Sequence, residues 1–113
     1  MNMYKEYIEE TTDTRMLETD YGFATYTTFF SEGGFVDCYI EDIYVKPEFR
    51  KTYKASEMAQ KIEEVAKKEN CNRLLGSVNL NIKDPTRSVK VLLQYGFEVL
   101  SAGEGSIWFK KNL

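Results

Sequence analysis

CYIEDIYVKPEFRKTYKASEMAQKIEEVA, residues 38–66, changes its hydrophobic period part way along. Ile40, Ile43, Tyr44 and Val45 are β-branched or aromatic, and Pro47 closes the run, so the first third reads as a strand. From Ala55 the apolar residues Met58, Ala59, Ile62, Val65 and Ala66 recur at helical spacing on one stripe. The opposite side carries Glu57/Lys61, Glu63/Lys67 and Glu64/Lys68, each four apart with the acid first, the favourable order. Arg50, Lys51 and Lys54 lie between strand and helix. A strand that feeds basic residues into a helix N-terminus builds an anion site. The first turn has N–H groups without intrahelical partners and carries the positive end of the helix dipole.

The whole chain, 1–113, is expected to be a single domain, since a chain of 113 residues buries roughly 65% of its unfolded surface. Its hydrophobic fraction of 42% and charged fraction of 29% are those of a globular protein, which argues against disorder. No apolar run reaches spanning length, and MNMYKEYIEE lacks the charged-then-apolar order of a signal peptide. No membrane partner and a cytoplasmic location are therefore expected, with Cys38 and Cys71 as reduced thiols. The net charge of −3 speaks against a general nucleic-acid binder and suits a cationic substrate. Histidine is absent, which removes Ser-His-Asp and Cys-His systems, the H-E-x-x-H site and mixed Cys/His zinc sites. A general base must then be a carboxylate, an amine, a phenol or a held water.

Along the chain, Met3, Tyr7 and Ile8 space as a short helix up to about Thr11. Residues 14–19 and 21–30 read as strands, Ser31 to Gly34 as a turn whose glycines supply positive φ, and 35–45 as the return strand. The aromatic residues here are read as core packing rather than a base-stacking platform. Asn70 to Asn72 end the central helix, and Leu74 to Leu80 form a strand parallel to 35–45 through a right-handed crossover. Asp84-Pro85 caps a helix bearing Val89, Leu92 and Leu93, and Gly96 stops it. Residues 97–100 and 106–110 close the chain as a hairpin.

Val45-Lys-Pro47-Glu-Phe49-Arg50, followed by Lys51-Thr-Tyr53-Lys-Ala55, resembles the V-x-P-x-x-R-x-x-G-x-G/A signature of the GCN5-related N-acetyltransferases, the GNAT superfamily. Tyr39 to Val45 is similar to the same strand in small polyamine and diamine acetyltransferases, and Ser88 to Phe97 to the family's late helix ending in Gly-Phe. The resemblance covers roughly 22–109. It implies an α/β (α+β) fold with a mixed, mostly antiparallel sheet, a splayed parallel pair beside Val45 and flanking helices.

The same resemblance implies acetyl-CoA as cosubstrate, with no metal. Ile43, Tyr44 and Val45 would pair with the pantetheine arm through their main chain. Arg50, Lys51, Thr52, Tyr53, Lys54, Ala55 and Ser56 would hold the diphosphate. Tyr53 stands where the family has its first loop glycine, which departs from close backbone approach. Glu41 and Asp42 are the catalytic candidates on this strand. Strand alternation lets at most one of them face the substrate, and Glu41, acting through water, is taken as the base with Asp42 as a cation or structural partner. The family's tyrosine acid falls at Leu92, and Tyr95, three residues on, is not a positional match. The implied function is direct N-acetylation of a primary amine, small molecule or protein. The alternative is a GNAT-fold binding protein that has lost catalysis. A homodimer is compatible with the residues.

Overall fold

The computed structural model describes residues 3–50 and 54–113, and of Ala55 the backbone. The expected Lys51, Thr52 and Tyr53 positions lie outside the described residues. The elements are α1 (Met3–Thr11), β1 (Arg15–Glu18), β2 (Gly22–Ser31), β3 (Phe35–Val45), a 3-10 turn (Pro47–Phe49), α2 (Lys54–Lys68), β4 (Arg73–Asn79), α3 (Pro85–Gln94), β5 (Glu98–Gly103) and β6 (Ser106–Asn112). The six strands form one sheet in the order β1-β2-β3-β4-β6-β5, and only β3 and β4 run parallel. This is the mixed sheet with a parallel pair that the sequence implied. Boundaries differ mainly at the end, where β5 runs on to Gly103 and β6 to Asn112. Where Pro47 was expected only to close the strand, it also opens a short 3-10 turn, Pro47–Phe49.

The local reasons are legible in the residues. Asp84 caps α3, its carboxylate accepting from the Arg87 amide at 3.3 Å, and Pro85 takes the first helical position. Gly96, at φ +89°, ends α3, and the Phe97 amide reaches back to the Leu92 carbonyl at 3.0 Å, a Schellman closure. Met58, Ile62 and Ala66 of α2 are buried against Ala24, Tyr26, Cys38 and Leu74 on one face of the sheet. Leu92 of α3 lies over Gly76 of β4 on that same face. Of the acid-first pairs on α2, Glu63–Lys67 closes at 3.8 Å, and Glu63 also meets Lys111 of β6 at 3.3 Å.

Two features shape the middle of the sheet. The β3–β4 ladder holds only from Asp37↔Arg73 to Tyr39↔Leu75, after which the strands part. The closed end is tied by a buried ion pair, Arg73 Nε to Asp37 Oδ1 at 2.6 Å, with the Ser31 hydroxyl donating to Asp37 Oδ2. The second feature is a bulge on β3: Tyr26 pairs with Ile40 and Thr25 with Asp42, so Glu41 is the extra residue. The inward side then changes phase. Cys38 and Ile40 pack into the core before the bulge, and Val45 does so after it.

Candidate functional site

The opening between β3 and β4 leads into a cleft of about 310 Å³ on the helix side of the sheet, walled by Ile40, Leu74, Gly76, Val78, Leu92 and Phe97, with Ser77, Glu41 and Asp42 at the seam. A second cleft of about 350 Å³ lies beside it, reaching Val45, Arg50, Ser56 and Gln94. Ile43, Arg87, Val91 and Tyr95 line both, so the two form one trough between α2 and α3. One end is cationic and lies at the start of α2, while the other is apolar and ends at the fork. An elongated ligand with an anionic end and an apolar tail fits such a shape.

Ile43, Val45, Arg50 and Ser56 all line the second cleft. Arg50 is fixed by its Nε donating to the Val45 carbonyl at 2.8 Å, so that carbonyl is engaged within the chain. Ala55 follows Lys54 in the first turn of α2. The side chains of Tyr44 and Lys54 have partners within the chain. Tyr44 stacks on Phe23 at 5.6 Å, with the Arg50 guanidinium 5.4 Å from its ring centroid. Lys54 pairs with Glu57 at 3.4 Å and lies 5.2 Å from the Tyr21 ring centroid.

The expectation that Glu41 and Asp42 point to opposite sides fails because of the bulge. Ile40 and Ile43 pair with the core residues Tyr26 and Ala24, so the two residues between them share the opposite side of the strand while still bordering the cleft at its opening. Both carboxylates are exposed, and the Thr14 hydroxyl donates to Glu41 Oε1 at 3.0 Å. No sequence pattern marks this bulge, since Glu41 and Asp42 suit either phase.

Arg87 was missed in the sequence. It sits in the first turn of α3, and only the folded chain brings that turn beside the start of α2. Leu92 lines the apolar end, and Tyr95 occupies the waist of the trough. Burial pushes the Tyr95 phenol up from its ordinary pKa, and its hydrogen bond with Ser56 opposes that shift. The phenol is therefore a protonated group at neutral pH.

Residues 9–97 match the model of the Acetyltransferase (GNAT) family. No curated protein matches the sequence. Among solved structures, the chain is similar to the PaiA N-acetyltransferase of Thermoplasma acidophilum in complex with coenzyme A, with TM-score 0.72 and 15% identity over 93% of this chain and 64% of that one. A GNAT family acetyltransferase of Elizabethkingia anophelis with acetyl-CoA bound gives 0.69 and 16% over 96% and 83%. A Bacillus subtilis acetyltransferase in complex with CoA gives 0.68 and 15% over 96% and 80%. The chain thus spans less than two thirds of the Thermoplasma protein, and 63% of a Klebsiella pneumoniae relative of the same fold. With the forked parallel pair, the bulged strand and the match over residues 9–97 together, the chain belongs to the GNAT acetyltransferase family.

Proposed function

We propose that this protein is an acetyl-CoA-dependent N-acetyltransferase that moves an acetyl group directly onto a primary amine. The observation that carries this reading is the trough that starts at Arg50, Ser56 and Arg87 and ends at the β3–β4 fork, with two carboxylates on the far side of the same fork. When bound, acetyl-CoA would supply an activated acetyl thioester. Arg50 and Arg87, with the amides opening α2, would hold its diphosphate. The apolar walls at Leu74, Val78 and Leu92 would take the uncharged arm and exclude water from its end.

A primary ammonium near pKa ~10.4 needs about 4–5 kcal/mol to lose its proton at neutral pH, so a base near the fork has work to do. Glu41 fills that role, taking the proton directly or through one water, and Asp42 beside it attracts the cation. The free amine then forms the new C–N bond as the C–S bond breaks, its surplus nitrogen proton passes to solvent water, and the sulfur leaves as thiolate. The Tyr95 hydroxyl, at the waist of the trough, is a candidate proton donor to it. A thiol of pKa ~8.5 needs only about 2 kcal/mol of such help at neutral pH.

A second reading, a GNAT-fold binding protein without catalysis, draws on Leu92, an aliphatic side chain where the family's acid falls. Calorimetry with acetyl-CoA followed by thiol release against a panel of amines separates the two. Micromolar binding with turnover supports the transferase. No binding up to millimolar concentration sinks it and leaves the binding protein.

A further inference from the structure

The face of the sheet away from α2 and α3 carries a second ordered set of side chains. Along β3, Glu41 and Asp42 fall on that face between Tyr39 and Tyr44. Each tyrosine has a ring partner: Tyr39 and Trp108 have centroids 5.4 Å apart at an interplanar angle of 36°, while Tyr44 stacks on Phe23. The two ends are not equivalent. Arg50 already engages the Tyr44 ring, whereas the Tyr39–Trp108 pair has no cation over it among the described residues. Trp108 is 36% exposed. The Tyr39 hydroxyl is held by Ser77 at 3.0 Å, just beyond the last β3–β4 ladder pair, where the fork opens into the trough. An anionic spot thus adjoins a fixed, open aromatic pair at the mouth of the opening.

We propose that this surface binds the acceptor, and that the acceptor is a small primary ammonium joined by a short chain to an aromatic ring. For its reaction this rests on the acetyl-transfer reading above. For its ligand it rests on Glu41, Asp42, Tyr39 and Trp108. The carboxylates select the ammonium, and the tilted rings select a flat apolar body by edge and face contact. Tyr39 and Glu41 are two residues apart, roughly 6–7 Å along the strand, a span that a two-carbon tether between ammonium and ring covers. A polyamine would instead call for carboxylates repeated along its length, and here rings stand in those places.

Trp108 is the sole tryptophan of the chain, so its emission reports this surface whether or not chemistry follows. Titration of the full chain with 2-phenylethylammonium is expected to change that emission saturably, with spermidine or a lysine-containing peptide weaker. The E41Q/D42N double variant should raise the apparent Kd about tenfold, the loss of a charge-assisted contact. No saturable change, or an equal response in the double variant, overturns the proposal. In thiol release with acetyl-CoA, kcat/KM should favour 2-phenylethylamine over spermidine. The ratio of kcat/KM for 2-phenylethylamine to that for ethylamine should fall about tenfold in W108A, and in W108L if W108A does not fold. A preference for spermidine or the peptide overturns it. Emission change without thiol release supports this surface and sinks the transferase. Thiol release with no emission change does the reverse.

Discussion

Arg73 closes on Asp37 at 2.6 Å at the joined end of the β3–β4 fork, with the carboxylate fully buried and the Arg73 guanidinium 4.0 Å from the Phe35 ring centroid. This contact fixes where the strands stay together, and hence where they begin to part. Replacing one partner leaves a buried charge without its counterion. D37N is expected to lower unfolding free energy by about 3–5 kcal/mol, read from urea denaturation. A D37L/R73M double variant should regain most of that loss, because buried pairs are replaceable by apolar groups of similar volume.

The bulge places Glu41 and Asp42 side by side, and their roles separate by kinetics. E41Q should reduce kcat for acetyl transfer about a hundredfold at neutral pH, with recovery as pH rises and the amine deprotonates unaided. D42N should act mainly on KM for the acceptor. An E41Q variant with wild-type kcat near neutral pH removes Glu41 from the mechanism.

Arg87 lies at both clefts of the trough, on a different helix from Ser56 and in a different segment from Arg50. R87A is expected to weaken CoA binding about tenfold by calorimetry, the worth of one charge-assisted contact to a phosphate at an exposed site. Desulfo-CoA should show the same loss, and dephosphorylated pantetheine should show none. Equal losses for all three would place Arg87 away from the diphosphate.

Cys38 is fully buried, and burial, followed by the neighbouring Cys71, pushes its thiol up to about 12. The folded chain therefore keeps this proton where the unfolded chain releases it. The stability it contributes is intact below about pH 9 and is lost as pH rises toward 12, at about 1.4 kcal/mol per pH unit. C38A should lower Tm at neutral pH, through lost packing, and flatten the fall in Tm across that alkaline window. The same burial predicts that neither thiol reacts with a disulfide reagent until the protein unfolds.

How far the residues spoke for themselves depended on whether a signal was local. Pro47, Asp84-Pro85 and Gly96 act within one turn, and β3, α2 and α3 fall where they were read. The α2 stripe was equally plain, because burial at Met58, Ile62 and Ala66 needs only a 3.6-residue period. Arg87 was not readable, since its relevance comes from two helix starts meeting in space. The facing of Glu41 and Asp42 was misread for a different reason. Alternation holds along a regular strand, and nothing in Ile40-Glu41-Asp42-Ile43 announces an extra residue. Lys54 pairs with Glu57 one turn along, so that carboxylate shares its charge with any anion at the start of α2, a competition the signature alone does not reveal.

The extra residue on β3 is absorbed where it stands, so the strand keeps its facing against β2 on both sides of it. Deleting Glu41 would restore plain alternation: Ile40, Asp42 and Ile43 would still face Tyr26, Thr25 and Ala24, Val45 would stay inward, and the strand would lose one carboxylate together with its local bend. Gly22, which faces Val45 across the β2–β3 ladder and has no room for a Cβ beside the Tyr44 carbonyl, pins the far end of β3 in that register. The extra length between Ile40 and Ile43, as much as residue identity, is thus what sets two carboxylates side by side at the fork.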